Sequence, residues 1–404
     1  MRQSIPRRRD ASELPASTPV VIVGGGIVGV ASAWFLRQYG LEAIVVEAAH
    51  DIGVRTTAMS AHCIRAQFSD RDNIAMMAES LDFYEHFNER LGTDRSDASI
   101  GLCQQGYLFA STDPADTGVF ASRIATQRAA GLDDVELLTG EEARQRFPWL
   151  SDEIAVATFR SRDGWIDSRL AVEAIAAAAQ VPIFLNVSAS EILVEAGAVI
   201  GVNTSAGTIA TDTVVIAAGP FSRELSPEPL PISLWRRHRL IVAANSAIPQ
   251  TGPVTIDANS GSHWRPHRGG ALLAWAQPET DQPAQWPVQP DPEFVELILQ
   301  SEGGVGRLAP FWNDLRLRLR SSEILLTAGQ YTMTPDHRPL IGAAPRTRGL
   351  YLNTGYSGHG IMGAPAGARI LAEAMTRSND GSHPFAPNRF DGQTDSPDIE
   401  QVVI

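Results

Sequence analysis

"PVVIVGGGIVGVASAWFLRQYGLEAIVVEAA", Pro19 to Ala49, decides the fold of this chain. Val20 to Val23 is a continuous β-branched run, the pattern of a parallel strand covered on both faces. Gly24-Gly25-Gly26-Ile27-Val28-Gly29 follows at once and fits G-x-G-x-x-G. Gly24 permits the tight turn, Gly26 lets the backbone approach a pyrophosphate, and Gly29 lets the helix pack against the sheet. The helix runs to about Tyr39, with Gly40 placed to end it. A second strand, Ala43 to Val46, ends in Glu47, an acid positioned for ribose hydroxyls. Strand, glycines, helix, strand and acid in this order predict a dinucleotide-binding βαβ unit. Glu47 favours NAD or FAD over NADP, because a carboxylate repels a 2′-phosphate.

The next segment separates the two. "GVRTTAMSAHCIRAQFSDRDNIAMMAESLDFYEHF" starts at Gly53 and puts small and hydroxyl residues (Thr56, Thr57, Ala58, Ser60, Ala61) ahead of Ile64-Arg65. An amphipathic helix is predicted from about Arg71. A nicotinamide enzyme would continue here with further βαβ units. A close-packing polar loop instead suits a larger cofactor threaded past the first turn. Near the other end, "YLNTGYSGHGIMGAPAGARILAEA", Tyr351 to Ala374, reads as strand, glycine-rich loop and small-residue helix. Such loops bring bare backbone N–H groups up to something anionic.

The bulk numbers bound the rest. The chain has 404 residues, 44% apolar and 20% charged, which is ordinary globular composition for about two domains. A net charge of −13 argues against nucleic acid or an anionic membrane surface as partner. No apolar run approaches the ~20 residues of a membrane helix. "MRQSIPRRRDASELPAS" has arginines but no apolar stretch behind them, so it reads as a disordered tail of a cytoplasmic protein rather than a signal peptide. Cys63 and Cys103 cannot build a disulfide framework or a cysteine metal site, and no metal ligand set is expected. All 33 basic residues are arginine, which excludes any lysine-dependent mechanism.

Six stretches resemble one family: "VVIVGGGIVGVASAWFL", "SAHCIRAQFS", "DGWIDSRLAVEAI", "TDTVVIAAGPFSREL", "SHWRPHRGGALLAWA" and "YTMTPDHRPLIG…LYLNTGYSGHGIMGAPAGARILAE". It is the FAD-dependent amine oxidoreductases of the D-amino acid oxidase and sarcosine oxidase type. Within it the chain is most similar to the β-subunit of heterotetrameric sarcosine oxidase and to L-proline dehydrogenase-like proteins, from about residue 19 to residue 390. The resemblance implies an α/β fold: a Rossmann-like FAD-binding domain and a second, mainly antiparallel β-sheet substrate domain. The expected FAD domain is discontinuous, over 19–100, 151–225 and 324–390, with 101–150 and 226–323 as substrate domain. Residues 1–18 and 391–404 are expected to be loose tails, and "LRLRLR" at 315–320 a half-buried strand with an arginine face.

The resemblance also assigns roles. Gly24, Gly26, Ile27, Val28, Gly29 and Glu47 of the fingerprint and Thr56, Thr57 and Ser60 of the loop after it would bind FAD, with Val187 against the adenine end. Ala218 and Gly219 would lie beside the cofactor. Backbone amides from Gly358 through His359, Gly360 and Ile361 to Met362 would face the N1–C2=O edge of the flavin, where the helix start stabilises negative charge. Pro365 suits the first turn of that helix. Arg65 is expected to hold a substrate carboxylate by paired hydrogen bonds, Tyr331 to line the pocket, and His359 to touch ring or substrate or else to serve structurally. The implied reaction is hydride transfer from the carbon next to nitrogen to flavin N5, giving an imine.

Three positions depart from the family's oxidases. Gly329 replaces the cysteine that anchors FAD covalently, Met362 replaces a carboxylate-holding lysine, and Gly270 to Ala274 lack the lysine that promotes reaction with oxygen. Non-covalent FAD is therefore expected, and an electron carrier is favoured over oxygen as acceptor, with both left open because Arg65 or His359 could supply the positive charge instead. Two alternatives stay open: a family enzyme acting on a hydroxy acid or a biosynthetic intermediate, and a non-catalytic FAD-binding subunit of a larger complex. A small-molecule amine or amino acid is the expected partner, with a further subunit or homo-oligomer open.

Overall fold

Val20–Val23 and Ala43–Glu47 are buried at every position and pair in parallel. They sit at the centre of a seven-stranded sheet in a computed structural model that describes residues 5–92, 99–277, 279–377, 383–391 and 399–402. The strand order is Arg7–Arg9, Pro182–Leu185, Ala43–Glu47, Val20–Val23, Val214–Ile216, Leu350–Thr354 and Leu340–Ala343. Only the last joins antiparallel. Alternation along these strands explains why they are apolar throughout. Val20, Ile22 and Val45 pack under the helices Ile27–Gln38, Arg71–Glu85, Ser168–Ala179 and Gly360–Thr376. Val21, Val23, Ile44 and Val46 pack on the opposite face against a three-stranded antiparallel sheet, Ala189–Glu195, Ala198–Thr204 and Gly207–Ala210. Both faces are covered, as a parallel sheet requires.

The second large sheet has eight strands: Ile324–Met333, Ser233–Val242, Gly270–Trp275, Ser262–His267, Val254–Asp257, Tyr107–Ser111, Val156–Arg160 and Glu136–Thr139. It is antiparallel except where Val254–Asp257 meets Tyr107–Ser111. The architecture is thus mixed α/β, with a doubly covered parallel sheet beside a mainly antiparallel one, as the sequence led one to expect. No helix among the described residues is long and apolar enough to cross a membrane.

Five local expectations need correction. The start of the chain is not a loose tail: Arg7–Arg9 adds a parallel strand to the sheet edge, where Arg8 pairs with Asp51 at 2.8 Å and Glu173 at 2.5 Å. Main-chain pairing at an open edge does not need apolar side chains, so no hydrophobic pattern announced it. At the other end, Glu400 and Val402 are buried rather than loose. Ile324–Met333 pairs with Ser233–Val242 along its whole length, and Val156–Arg160 also belongs to the eight-stranded sheet. The chain therefore returns to the parallel sheet at Leu340, not Ile324. "LRLRLR" is no strand: Phe311–Leu315 is a short helix and turns follow, because Pro310 opens a helix that Trp312 and Leu315 bury.

Pro365 lies in the second turn, not the first, since its helix starts at Gly360. A proline there removes the N–H that would bond the carbonyl of Ile361. The Tyr84 hydroxyl, from the neighbouring helix, donates to that carbonyl at 2.7 Å instead.

Candidate active site

The two sheets meet along a long cleft of about 790 Å³. One end is built by the glycine fingerprint. Gly24 takes φ +112°, and a Cβ there would lie 2.5 Å from the carbonyl oxygen of Ala217. A Cβ on Gly29 would lie 1.8 Å from the carbonyl oxygen of Gly24, so the helix sits directly on the turn. Gly29 thus shapes the cleft without lining it, whereas Gly24, Gly26, Ile27 and Val28 form its wall. Glu47 is buried at the strand end, and its two carboxylate oxygens accept from the Gly25 N–H at 2.6 Å and the Ala49 N–H at 2.7 Å. Held this way, it faces the cleft beside the glycines.

The Arg55–Ser60 stretch closes over this end. Thr57 Oγ1 accepts from the Ile27 N–H at 3.2 Å, and Thr56, Thr57 and Ser60 all line the cleft. Arg55 lines it too, with its guanidinium 5.2 Å from the Phe221 ring centre and its buried Nε without a hydrogen-bond partner among the described residues. Val187, fully buried, and Ala218 and Gly219 complete the wall.

The far end belongs to the second glycine loop and the antiparallel sheet. Gly358 has φ +92°, and a Cβ there would meet the Tyr331 ring at 2.3 Å. Gly358, Gly360 and Ile361 line the cleft, which places the start of the helix Gly360–Thr376 against it. Tyr331 lines it as well. Burial pushes its phenol pKa up, partly offset by the charges of Arg237 and Arg65. Gly329 also faces the cleft, with Met59 so close that a Cβ on the glycine would lie 3.0 Å from the Met59 Cβ.

Besides Gly29, three expected site residues lie off the cleft wall. Met362 packs against the buried cluster that contains Cys63, Tyr107, Phe109 and Val402. His359 is 2% exposed and stands edge-on to Phe68, ring centres 4.8 Å apart, with its Nε2 unpartnered among the described residues. Burial, then the nearby Arg65 and His337, hold its pKa well below the usual histidine range, so the ring is neutral. Arg65 is 1% exposed, with its guanidinium 3.9 Å from the centre of the Phe68 ring. It donates to the Gln67 carbonyl and, at 2.6 Å, to the Val402 carbonyl. Two main-chain carbonyls therefore take the terminal nitrogens of the arginine expected to hold a carboxylate, while its buried Nε has no partner among the described residues.

The residue that sequence reasoning missed is Arg237. It lines the cleft near Tyr331 and Gly329, and sits within "WRRHRL", where nothing but register tells one arginine from the next. Strand alternation puts Arg237 and Arg239 on the cleft side of Ser233–Val242. Arg236 and His238 fall on the other face, where they meet Asp291.

A dinucleotide fits this cleft on the residues present: glycines that leave the backbone bare, a fixed acid beside them, an unpartnered buried guanidinium nitrogen at Arg55, and a second helix start at the far end. Comparison with known proteins gives the same answer. The chain is 27% identical to FAD-dependent oxidoreductase domain-containing protein 1 of Xenopus laevis, with 89% of this chain aligned to 79% of that one. It is 25% identical to 4-methylaminobutanoate oxidase (formaldehyde-forming) of Paenarthrobacter nicotinovorans over 94% of this chain, but spans only 46% of that protein. The crystal structure of L-proline dehydrogenase from P. horikoshii superposes with a TM-score of 0.79 at 27% identity, covering 93% of this chain and 96% of that one. The family model for FAD dependent oxidoreductases (DAO) matches residues 19–374, and the chain belongs to that family.

Proposed function

We propose that this protein oxidises a C–N bond of an amino acid or of a secondary or N-methyl amine, with FAD bound non-covalently in the cleft. The observation that carries the proposal is the cleft's two-ended construction. A nucleotide cradle at Gly24–Glu47 runs into a chamber walled by Tyr331, Gly358 and Arg237. Bound there, FAD supplies a two-electron acceptor for the hydride on the carbon next to nitrogen. The chain's own contribution is placement and electrostatics. The amides at the start of Gly360–Thr376 present partial positive charge, about half a unit, at the cleft wall. The Tyr331 ring packs directly on Gly358, and a substrate bound against that apolar wall would displace water there, strengthening the polar contacts it makes. His359 is kept neutral by burial, so an ammonium substrate meets no added positive charge from it.

Non-covalent attachment is supported by Gly329 and by a cleft wall that, among the described residues, contains no cysteine or histidine. Acid precipitation should therefore release the flavin into solution. An electron carrier rather than oxygen is proposed as the final oxidant, because the chain has no lysine to stand near the flavin. That the P. nicotinovorans protein is a 4-methylaminobutanoate oxidase and the P. horikoshii one an L-proline dehydrogenase supports amines with a carboxylate as the substrate class.

The test is anaerobic mixing of the flavin-loaded protein with N-methyl, cyclic and primary amino acids while the visible flavin band is followed. Bleaching by one class is the expected result. Readmitting air should then restore the band slowly. A flavin that no member of the panel reduces would sink the proposal.

A further inference from the structure

Among the described residues, Trp286 is the one aromatic ring among the large apolar side chains left exposed, 37% open, and it lies on the wall of the cleft. No other ring and no guanidinium stacks on it among the described residues. The stretch that carries it, from Asp281 to Val288, forms neither helix nor strand, yet Ala284, Gln285, Trp286 and Val288 all line the cleft. This stretch is pinned rather than loose. Asp281 accepts from the Leu234 N–H at 2.7 Å and pairs with Arg223 at 2.8 Å. Gln330, 1% exposed on Ile324–Met333, fastens the next step: its Oε1 accepts from the Gln285 N–H at 3.0 Å, and its Nε2 donates to the Pro283 carbonyl at 2.8 Å. Past the tryptophan, Pro287 restricts the backbone and Val288 is buried. The main chain is thus held on both sides of a ring that the protein itself leaves uncovered. A large apolar side chain left open on a concave wall is a contact that a ligand completes.

From this arrangement we infer that Trp286 is a preset stacking face for one of the two planar ring systems of FAD, reaching over the cleft from the side of the antiparallel sheet. Stacking needs a flat partner. The dinucleotide has two, whereas an aliphatic amino acid or N-methyl amine has none. Ala284, two residues earlier, packs against the apolar cluster that contains Val187, and Gln330 stands between Gly329 and Tyr331, so the stretch touches both ends of the cleft. Because the ring is held in place before the cofactor arrives, little ordering has to be paid for on binding. The inference rests on FAD occupying the cleft, and not on which amine is oxidised.

The test needs no turnover. FAD-free wild type, Trp286→Ala and Trp286→Phe are titrated with FAD, FMN and ADP, and the melting temperature of each FAD-free protein is recorded. Trp286→Ala should raise the dissociation constant of FAD about tenfold, as losing one ring–aromatic stack does, while Trp286→Phe should stay within about threefold of wild type. The FAD-free melting temperature should hardly move, because the stack exists only with the cofactor bound. Whichever of FMN and ADP weakens along with FAD identifies the ring that Trp286 covers. A second measurement uses wild type alone and so stands even if the alanine variant fails to fold: N-bromosuccinimide should oxidise Trp286 more slowly in the flavin-loaded protein than in the FAD-free one, read by peptide mass spectrometry. The inference is overturned if Trp286→Ala binds FAD within about twofold of wild type, if the phenylalanine variant loses as much as the alanine one, or if bound flavin leaves the oxidation of Trp286 unchanged. A flavin that no amine reduces would sink the amine-oxidation reading and leave each of these outcomes as it stands.

Discussion

At the scale of single residues, the fingerprint glycines were legible because their places leave no room for a Cβ: at Gly24 it would meet the Ala217 carbonyl, and at Gly29 that of Gly24. Gly358 was equally legible as bare backbone, though its actual neighbour, the Tyr331 ring, was not. Arg237 was illegible because four basic side chains crowd one strand, and only pairing with Ile324–Met333 decides which face each takes. Arg65 illustrates the opposite failure: the motif around it was recognisable, but the partner that covers it comes from residue 402. Tyr84 is a residue whose role exists only in the folded chain. Replacing it with phenylalanine strands the Ile361 carbonyl opposite Pro365, where no amide can replace the lost donor. We expect Tyr84→Phe to lower stability by about 1–3 kcal/mol in a urea titration while flavin content holds. An unchanged midpoint would show that water reaches the carbonyl.

At the scale of elements, what could be read were those with internal periodicity. Arg71–Glu85 begins where the amphipathic pattern said it should, and Asp167 caps Ser168–Ala179 by accepting from the N–H groups of Arg169 and Leu170. Elements held by distant chain were not readable. The start of Arg71–Glu85 is fastened from far away: Glu400 accepts from the Ser69 Oγ at 2.6 Å and the Asp70 N–H at 2.9 Å. It also accepts from the Ser69 N–H and the Val402 N–H. Glu400→Ala removes a fully buried acceptor from several donors at once. It should cost about 2 kcal/mol and speed amide hydrogen exchange at Ser69 and Asp70 before anywhere else. Exchange unchanged at those two amides would mean that Ile399–Val402 contributes nothing to the helix start.

For the molecule as a whole, the doubly covered sheet and its antiparallel companion followed from pattern and resemblance, while the assignment of strands between them did not. Ile324–Met333 reads like any buried strand, and only long-range pairing puts it in the eight-stranded sheet. The same burial sets a pH limit. Desolvation first, then neighbouring arginines, lowers the pKa of His62 to about 3 and of His238 and His267 to about 4; His263 is likewise lowered to about 4, chiefly by desolvation. These values lie below that of an unfolded histidine, so the unfolded chain takes up protons first as pH falls. Stability is full above pH ~6.5 and declines toward pH ~4, by up to about 1.4 kcal/mol per pH unit for each histidine. Melting temperature should drop between pH 6.5 and 5, and His263→Gln should make that drop shallower. A flat profile would mean that these rings protonate without unfolding the chain.

The nucleotide cradle has a further consequence, in time rather than in space. Val20–Val23 and Ala43–Glu47 are synthesised almost together, but the next strand waits for residue 214 and the one beyond it for residue 350. The cleft wall reaches from Val23 to Ile361, so roughly 300 residues separate its first half from its last. At about 5–20 residues per second, that is a delay of roughly 15–60 s on the ribosome. FAD therefore loads onto a nearly finished chain, and a cell short of the cofactor would accumulate completed, empty protein rather than arrested fragments.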